Sequence, residues 1–106
     1  MPHAETHTVV LPYATAYNSS HTPEAMSAIA RALDCEISDV AGSIYDISSR
    51  NGGPVSLKEL GFNEADLDEA ATIATQNPYY NPRPVVLADI RNLLENAYYG
   101  HSPAIQ

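Results

Sequence analysis

Residues 22–33, TPEAMSAIARAL, form the stretch that best defines the fold class. Thr22 is placed to cap a helix whose first residue is Pro23, since proline lacks an N–H that the first helical turn leaves unpaired anyway. Apolar residues then recur at helical spacing: Met26, Ile29, Ala30 and Leu33. The pattern predicts an amphipathic α-helix with one buried face.

Similar helical patterns flank this segment on both sides. We predict helices over residues 4–17, with a kink at Pro12, and from about residue 38 to the Gly52-Gly53-Pro54 break. Three more follow: a short helix over residues 56–61, one capped by Asn63 that ends near residue 77, and a last helix from residue 87 to Gly100. The one strand candidate, residues 84–87, is too short to anchor a sheet. The sequence therefore predicts an all-α fold, a compact bundle of about six helices in one domain over residues 1–106, with residues 101–106 as a frayed tail.

Charge and composition narrow the possible partners. The chain has 106 residues, 44% of them apolar, and a net charge of -8 from 13 acidic and 5 basic residues. This balance disfavours binding to nucleic acid and to anionic membranes, because both need Lys and Arg to neutralise phosphate. The single cysteine, Cys35, cannot form an internal disulfide. Neither a secretory signal nor a membrane-spanning run is evident, so we expect a cytoplasmic protein.

Two histidines near the N-terminus are the first candidates for chemistry. His3 and His7 are four residues apart and so share one face of the predicted helix. They can act as general acid–base groups, since imidazole titrates near neutral pH, or simply form local hydrogen bonds. A stable metal site needs a third or fourth ligand, and no further histidine stands at motif spacing. We therefore predict catalytic roles for His3 and His7 and no metal.

Tyrosines and one arginine complete the predicted site. Tyr13 is assigned a catalytic role, and Tyr17, Tyr79 and Arg83 are assigned to substrate binding. Tyr13 and Tyr17 can line a pocket for an oxygenated ligand or belong to the core. Arg83 can bind a carboxylate with two hydrogen bonds or bond the carbonyls left open at a helix end.

Three motifs together carry a family resemblance. They are residues 2–13, PHAETHTVVLPY; residues 56–61, SLKELG, followed by residues 64–67, EADL; and residues 77–84, NPYYNPRP. In this order and spacing the chain resembles the C-terminal domain of maleylacetate reductases, a branch of the iron-containing alcohol dehydrogenase superfamily. The resemblance extends from Pro2 to about Gly100.

The resemblance implies a protein about three times longer, with a dinucleotide-binding α/β domain before the helical one and the active site between them. Such enzymes use a reduced nicotinamide cofactor to reduce maleylacetate to 3-oxoadipate. The position matching His3 is a metal ligand in metal-dependent relatives, whereas maleylacetate reductases work without that metal.

Three functions follow from these features. The sequence has no Gly-rich strand–turn–helix fingerprint, so we expect no nicotinamide binding by this chain itself. The favoured interpretation is a stand-alone acid–base enzyme without cofactor, of the cyclase, isomerase or lyase (hydration or addition) type, acting on a small oxygenated metabolite. The alternatives are the C-terminal half of an NAD(P)H-dependent reductase and a non-catalytic ligand-binding or assembly module. Because a face normally covered by another domain would stay apolar, we also expect a homodimer or larger homo-oligomer.

Overall fold

Five α-helices form the framework of the protein in a computed structural model that describes residues 3–76 and 81–103, with only the backbone of residue 3. They are α1 (His3–Asn18), α2 (Pro23–Leu33), α3 (Val40–Arg50), α4 (Leu67–Gln76) and α5 (Leu87–Tyr99). Three short 3₁₀ turns precede α2, α3 and α4. No β-strand occurs in the described ranges, and the predicted all-α class is confirmed. No described helix is long and apolar enough to cross a membrane.

Helix α1 is the centre of the arrangement. It packs against α3 on one side and α5 on the other, while α4 packs on α5 and α2 on α3. The main core cluster joins α1 to α4, α5 and the loop before α4. Its buried members are Val9, Tyr13, Leu57, Leu67, Ala97 and Tyr98. A second, smaller cluster of Met26, Ala30 and Val40 joins α2 to α3.

The helices begin and end near the residues that the sequence predicts, but the predicted capping interactions are only partly present. Pro23 begins α2 as predicted, yet the Thr22 side chain does not cap it, because its hydroxyl donates to the Asn18 carbonyl at 3.0 Å. Helix α1 continues through Pro12 as one element. Asn63 accepts a hydrogen bond from the Ala65 N–H, as its predicted capping role requires.

The predicted short helix over residues 56–61 is a pair of turns instead, which leaves five helices rather than about six. A capping box is nevertheless present, as the Ser-Leu-Lys-Glu spacing of residues 56–59 allows: the Glu59 N–H donates to Ser56 Oγ at 3.2 Å, and the Ser56 N–H donates to Glu59 Oε1 at 3.1 Å. The segment turns at Gly61, whose φ of 88° is in the left-handed region, so no helix can propagate.

Main-chain groups of this turn close the C-terminal end of α5. The N–H groups of Leu57 and Lys58 donate to the carbonyls of Ala97 and Tyr98 at 2.9 and 3.1 Å. A helix end leaves its last carbonyls without intrahelical partners, and these bonds satisfy two of them. Gly100 follows with φ 74°, and a Cβ there would lie 3.0 Å from the Ser56 side chain. The close approach of two chain segments thus explains the glycine at the helix end.

Candidate functional site

His7 lies on the exposed side of the first half of α1. It borders a depression of about 290 Å³, called here the His7 depression, that is lined by Thr6, His7, Val10, Leu11 and Ala14. The walls are mostly apolar, so the imidazole is a prominent polar group at its edge. An imidazole nitrogen can donate or accept a hydrogen bond. His7 therefore remains a candidate for contact with a ligand in this depression.

The structure describes the backbone of His3 but not its side chain, and it does not describe Tyr79. His3 is the first residue of α1, one turn before His7. The predicted roles of His3 in catalysis and of Tyr79 in substrate binding stay predictions. Within residues 4–76 and 81–103, no three His, Cys, Asp or Glu side chains come together as metal ligands would.

Tyr13, predicted to be catalytic, belongs to the main core cluster. Its side chain is 4% exposed, and its hydroxyl donates to the His101 carbonyl at 2.5 Å. Burial, with a smaller contribution from nearby Tyr45, raises the pKa of Tyr13 well above its ordinary value. A phenol in this position keeps its proton at neutral pH and is already hydrogen-bonded to the backbone. The same bond fastens His101, the first residue of the predicted tail.

Tyr17 and Arg83, both predicted to bind substrate, instead contact each other. The Arg83 guanidinium lies over the Tyr17 ring, with Cζ 4.2 Å from the ring centroid. Its Nη1 donates to the Tyr17 carbonyl at 3.1 Å, and its Nη2 lies 3.5 Å from Asp89 Oδ2. The Tyr17 hydroxyl donates to the Pro84 carbonyl. Arg83 therefore bonds a helix-end carbonyl, the structural alternative that the sequence left open.

Two asparagines that the sequence analysis did not single out complete this contact. Asn81 Nδ2 donates to Asn18 Oδ1 at 2.8 Å, and Asn18 Nδ2 donates to Asn81 Oδ1 at 3.1 Å. The Arg83 N–H also donates to Asn18 Oδ1, at 3.3 Å. We call Tyr17, Asn18, Asn81, Arg83 and Asp89 the Arg83 clasp. It joins the end of α1 to the segment before α5. In the sequence, the motif over residues 77–84 marked Asn81 and Arg83, and Tyr17 was named only as a candidate substrate contact.

The predicted site thus separates into three regions. His7 is at the His7 depression, whereas Tyr13 is in the core and Tyr17 and Arg83 are in the Arg83 clasp. None of these three is among the described residues that line the His7 depression. Tyr17 does line a neighbouring depression that shares Val10 and Ala14 with the His7 depression, whereas Tyr13 and Arg83 are not among the described residues that line it.

Comparison with protein families identifies the framework. The C-terminal domain of the Fe-containing alcohol dehydrogenase family matches residues 1–98. The chain belongs to this family. The resemblance noted from the three sequence motifs is thereby confirmed, although Arg83, a predicted site residue within the third motif, lies in the Arg83 clasp.

Comparison with individual proteins of the family gives more specific matches. The chain is 45% identical to maleylacetate reductase 1 of Rhodococcus opacus over 97% of its own length and 28% of that protein. It is 48% identical to the maleylacetate reductase of Burkholderia cepacia, over 98% of its length and 29% of that protein. The chain therefore spans less than a third of the curated relatives it matches.

Solved structures agree with the sequence comparisons. The maleylacetate reductase of Agrobacterium tumefaciens superposes with a TM-score of 0.88 at 39% identity, over 97% of this chain and 29% of that one. The enzyme of Rhizobium sp. strain MTP-10005 gives the same TM-score at 42% identity, with the same coverage. The fold is that of the matching segment in these reductases.

Proposed function

We propose that this chain is the C-terminal helical part of a maleylacetate reductase, the second of the three functions considered from the sequence. The observation that carries the proposal is its 45–48% identity to two maleylacetate reductases over nearly the whole chain. A cytoplasmic location is part of the same proposal.

The contribution of this chain to the reaction would come from α1. The N-terminal end of a helix favours negative charge, because its first N–H groups have no intrahelical acceptor. The substrate carries two carboxylates, and His3 and His7 are the histidines nearest this end of α1. We assign them to hydrogen bonding of a substrate carboxylate and to holding a proton at an imidazole nitrogen, with Tyr79 as a further substrate contact. The apolar walls of the His7 depression would exclude water from one side of the carbon skeleton.

The nicotinamide cofactor of such an enzyme would supply the hydride for the carbon–carbon double bond. The described residues form no strand, and so no strand–turn–helix unit of the kind that holds a dinucleotide. They do not fit that cofactor, and we place its binding on the remaining part of the enzyme. The iron in the family's name could not be held by the described side chains alone, since they offer no set of three ligands. His3, whose position is a metal ligand in metal-dependent relatives, has its side chain outside the described part.

Tyr13, Tyr17 and Arg83 have a supporting role in this proposal. Their polar atoms bond main-chain carbonyls at the two ends of the α1–α5 contact. They would fix the position of α1 and thereby of His7. The stand-alone acid–base enzyme, whether cyclase, isomerase or lyase, finds no support in the comparisons, and no observation favours the non-catalytic module.

A chimeric enzyme tests the proposal. In the maleylacetate reductase of Burkholderia cepacia, the 104-residue matched segment is replaced by this chain, and maleylacetate-dependent oxidation of NADH is followed by absorbance. We expect activity within about tenfold of the parent, a loss typical of small changes in positioning. A matched control carries the segment from the Agrobacterium tumefaciens enzyme. A chimera that folds but is inactive, while this control is active, contradicts the proposal.

A further inference from the structure

A second, larger depression adjoins the His7 depression. It has a volume of about 430 Å³ and lies between α1 and α3, where its walls include Thr8, Leu11, Ile44, Ile47 and Ser48. Leu11 lines both depressions. The two together form one continuous surface, called here the α1–α3 face.

The α1–α3 face is apolar and uncharged in an acidic protein. Leu11 is 55% exposed and Ile47 is 41% exposed. None of the described residues that line either depression is Asp, Glu, Lys or Arg, although the chain carries 18 such residues, 13 acidic and 5 basic. The depression between α4 and α5, by contrast, is lined by both Asp68 and Arg91. A contiguous apolar surface without charges is typical of an interface.

The sequence of α1 indicates that this side of the helix is covered by other polypeptide. Val9, Tyr13 and Ala16 are buried against the rest of the protein. Val10, Leu11 and Ala14 are also apolar, and all three line the His7 depression. Glu5, His7 and Thr8 are exposed on the same helix, so the apolar part of its outer surface is the patch around Leu11, which is 55% exposed. A large exposed apolar side chain shared by two mostly apolar depressions suits a covering partner.

The relatives indicate what covers it. This chain matches only 28–29% of each maleylacetate reductase, and the matching family domain is the C-terminal one. More than two thirds of each relative is therefore polypeptide outside the matched segment, most of it ahead of that segment. We propose that the α1–α3 face docks the polypeptide that precedes this segment in a maleylacetate reductase, through an uncharged, apolar surface centred on Leu11 and Ile47. The inference rests on the proposed function and adds to it the location of the contact.

The test compares Leu11→Glu and Ile47→Glu in two contexts, the 106-residue chain alone and the Burkholderia cepacia chimera. Matched controls are Leu87→Glu and Ile73→Glu, which make the same substitutions at exposed positions, 49% and 61%, on α5 and α4. In the isolated chain, at a concentration low enough for it to be monomeric, all four variants should melt within about 2 °C of wild type, since exposed substitutions have small effects. In the chimera, only the first two should lower the melting temperature, by at least about 5 °C, because they would bury an unpaired carboxylate.

Each outcome decides the matter. Equal effects of test and control variants in the chimera overturn the location, and no effect of Leu11→Glu there overturns the contact. A chimera that folds with Leu87→Glu but not with Leu11→Glu supports the proposed contact. In that case Leu11→Ala, which should destabilise the chimera less, gives a melting temperature that can be measured. If the two test variants dissociate a dimer of the isolated chain but leave the chimera unchanged, the occupant is a second copy and the proposal is wrong.

The proposed function and the docking surface fail in different ways. An inactive wild-type chimera whose melting temperature still falls with Leu11→Glu would retain the docking surface without the reductase function. An active chimera that is indifferent to Leu11→Glu and Ile47→Glu would retain the function without this surface. A wild-type chimera that cannot fold overturns the docking proposal, because a surface built for the preceding polypeptide should accept it at 48% identity.

Discussion

Arg83 covers the ring of Tyr17 and bonds its carbonyl. The guanidinium carbon lies 4.2 Å from the ring centroid, and Nη1 donates to the Tyr17 carbonyl oxygen at 3.1 Å. One side chain thus contacts both the ring and the backbone of the same residue, at the last turn of α1. The Arg83 side chain is only 23% exposed, so these contacts are partly shielded from water. Cation–π contacts and charged hydrogen bonds are stronger when they are shielded in this way.

The first prediction is that Arg83→Ala destabilises the isolated chain by about 2 kcal/mol, through loss of the cation–π contact and a charged hydrogen bond. The melting temperature, measured by circular dichroism, should fall by roughly 10 °C. Arg83→Lys should be intermediate, since an ammonium keeps the charge but not the planar fork. The control is Arg50→Ala, an exposed arginine, which should change stability by no more than about 0.5 kcal/mol. Equal stability of Arg83→Ala and wild type would return Arg83 to the substrate-binding role.

A second prediction concerns Tyr13 and alkaline pH. Because burial raises the pKa of this phenol in the folded protein, the unfolded chain releases that proton first as pH rises. Its contribution to the free energy of unfolding is complete below about pH 10, the ordinary tyrosine pKa, and is lost progressively above it. Tyr13→Phe should cost about 1 kcal/mol at pH 7 from the lost hydrogen bond. Above pH 10 its stability should fall less steeply than that of wild type in urea titrations. Parallel pH profiles for the two proteins would contradict the assignment.

The fold was predictable because its signals are local. Pro23 at the start of α2, Gly52 after α3 and Gly100 after α5 act on the backbone next to them, and apolar spacing marked the buried faces. The segment at residues 56–61 was predicted wrongly as a helix, although its capping box is present. Two hydrogen bonds between Ser56 and Glu59 can form on one turn without a helix following.

The site was harder to predict, because its residues interact across the chain. Tyr13 contacts His101, 88 positions away, and Tyr17 contacts Pro84, 67 positions away. Spacing along one helix cannot distinguish a tyrosine that bonds a distant carbonyl from one that faces a ligand, since both have an apolar ring and a polar tip. Asn18 and Asn81 gave no periodic signal at all. The family motif did include Arg83, but a motif residue can be retained for the framework as well as for the substrate.

A third prediction is that the isolated chain does not bind a nicotinamide cofactor. The described residues form only helices and loops. Binding of a dinucleotide in the manner of this family requires a strand–turn–helix unit. Titration of NADH and NADPH, followed by fluorescence and calorimetry, should show no saturable binding up to about millimolar concentration, the range of weak, unspecific contacts. The full-length Burkholderia cepacia reductase is the positive control. A micromolar dissociation constant for the isolated chain would contradict this expectation.

A fourth prediction is self-association of the isolated chain through the α1–α3 face. Without the polypeptide proposed to cover it, Leu11 and Ile47 are exposed on an uncharged surface, and a second copy offers an equally apolar face. Sedimentation velocity at tens of micromolar, where weak dimers form, should give a dimer or larger species. Leu11→Glu should shift the distribution to monomer, and Ile73→Glu should not. If the wild-type chain is a monomer at this concentration, the α1–α3 face does not drive self-association and the prediction is wrong.

The last prediction separates activity from folding at His7. The residue is exposed near the start of α1 and lies outside both core clusters, so His7→Ala should change the free energy of unfolding by no more than about 0.5 kcal/mol. In the chimera the same change should lower kcat/KM by about 10²–10⁴, the usual loss for a positioned acid–base group. His3→Ala should behave likewise. His21→Ala is the matched control, an exposed histidine beyond the end of α1, and should leave both quantities unchanged. If His7→Ala unfolds the isolated chain, the histidine is structural. If it retains full stability and activity, the proton-holding role is wrong, and the α1 contribution must come from the helix N-terminus and the apolar walls of the His7 depression.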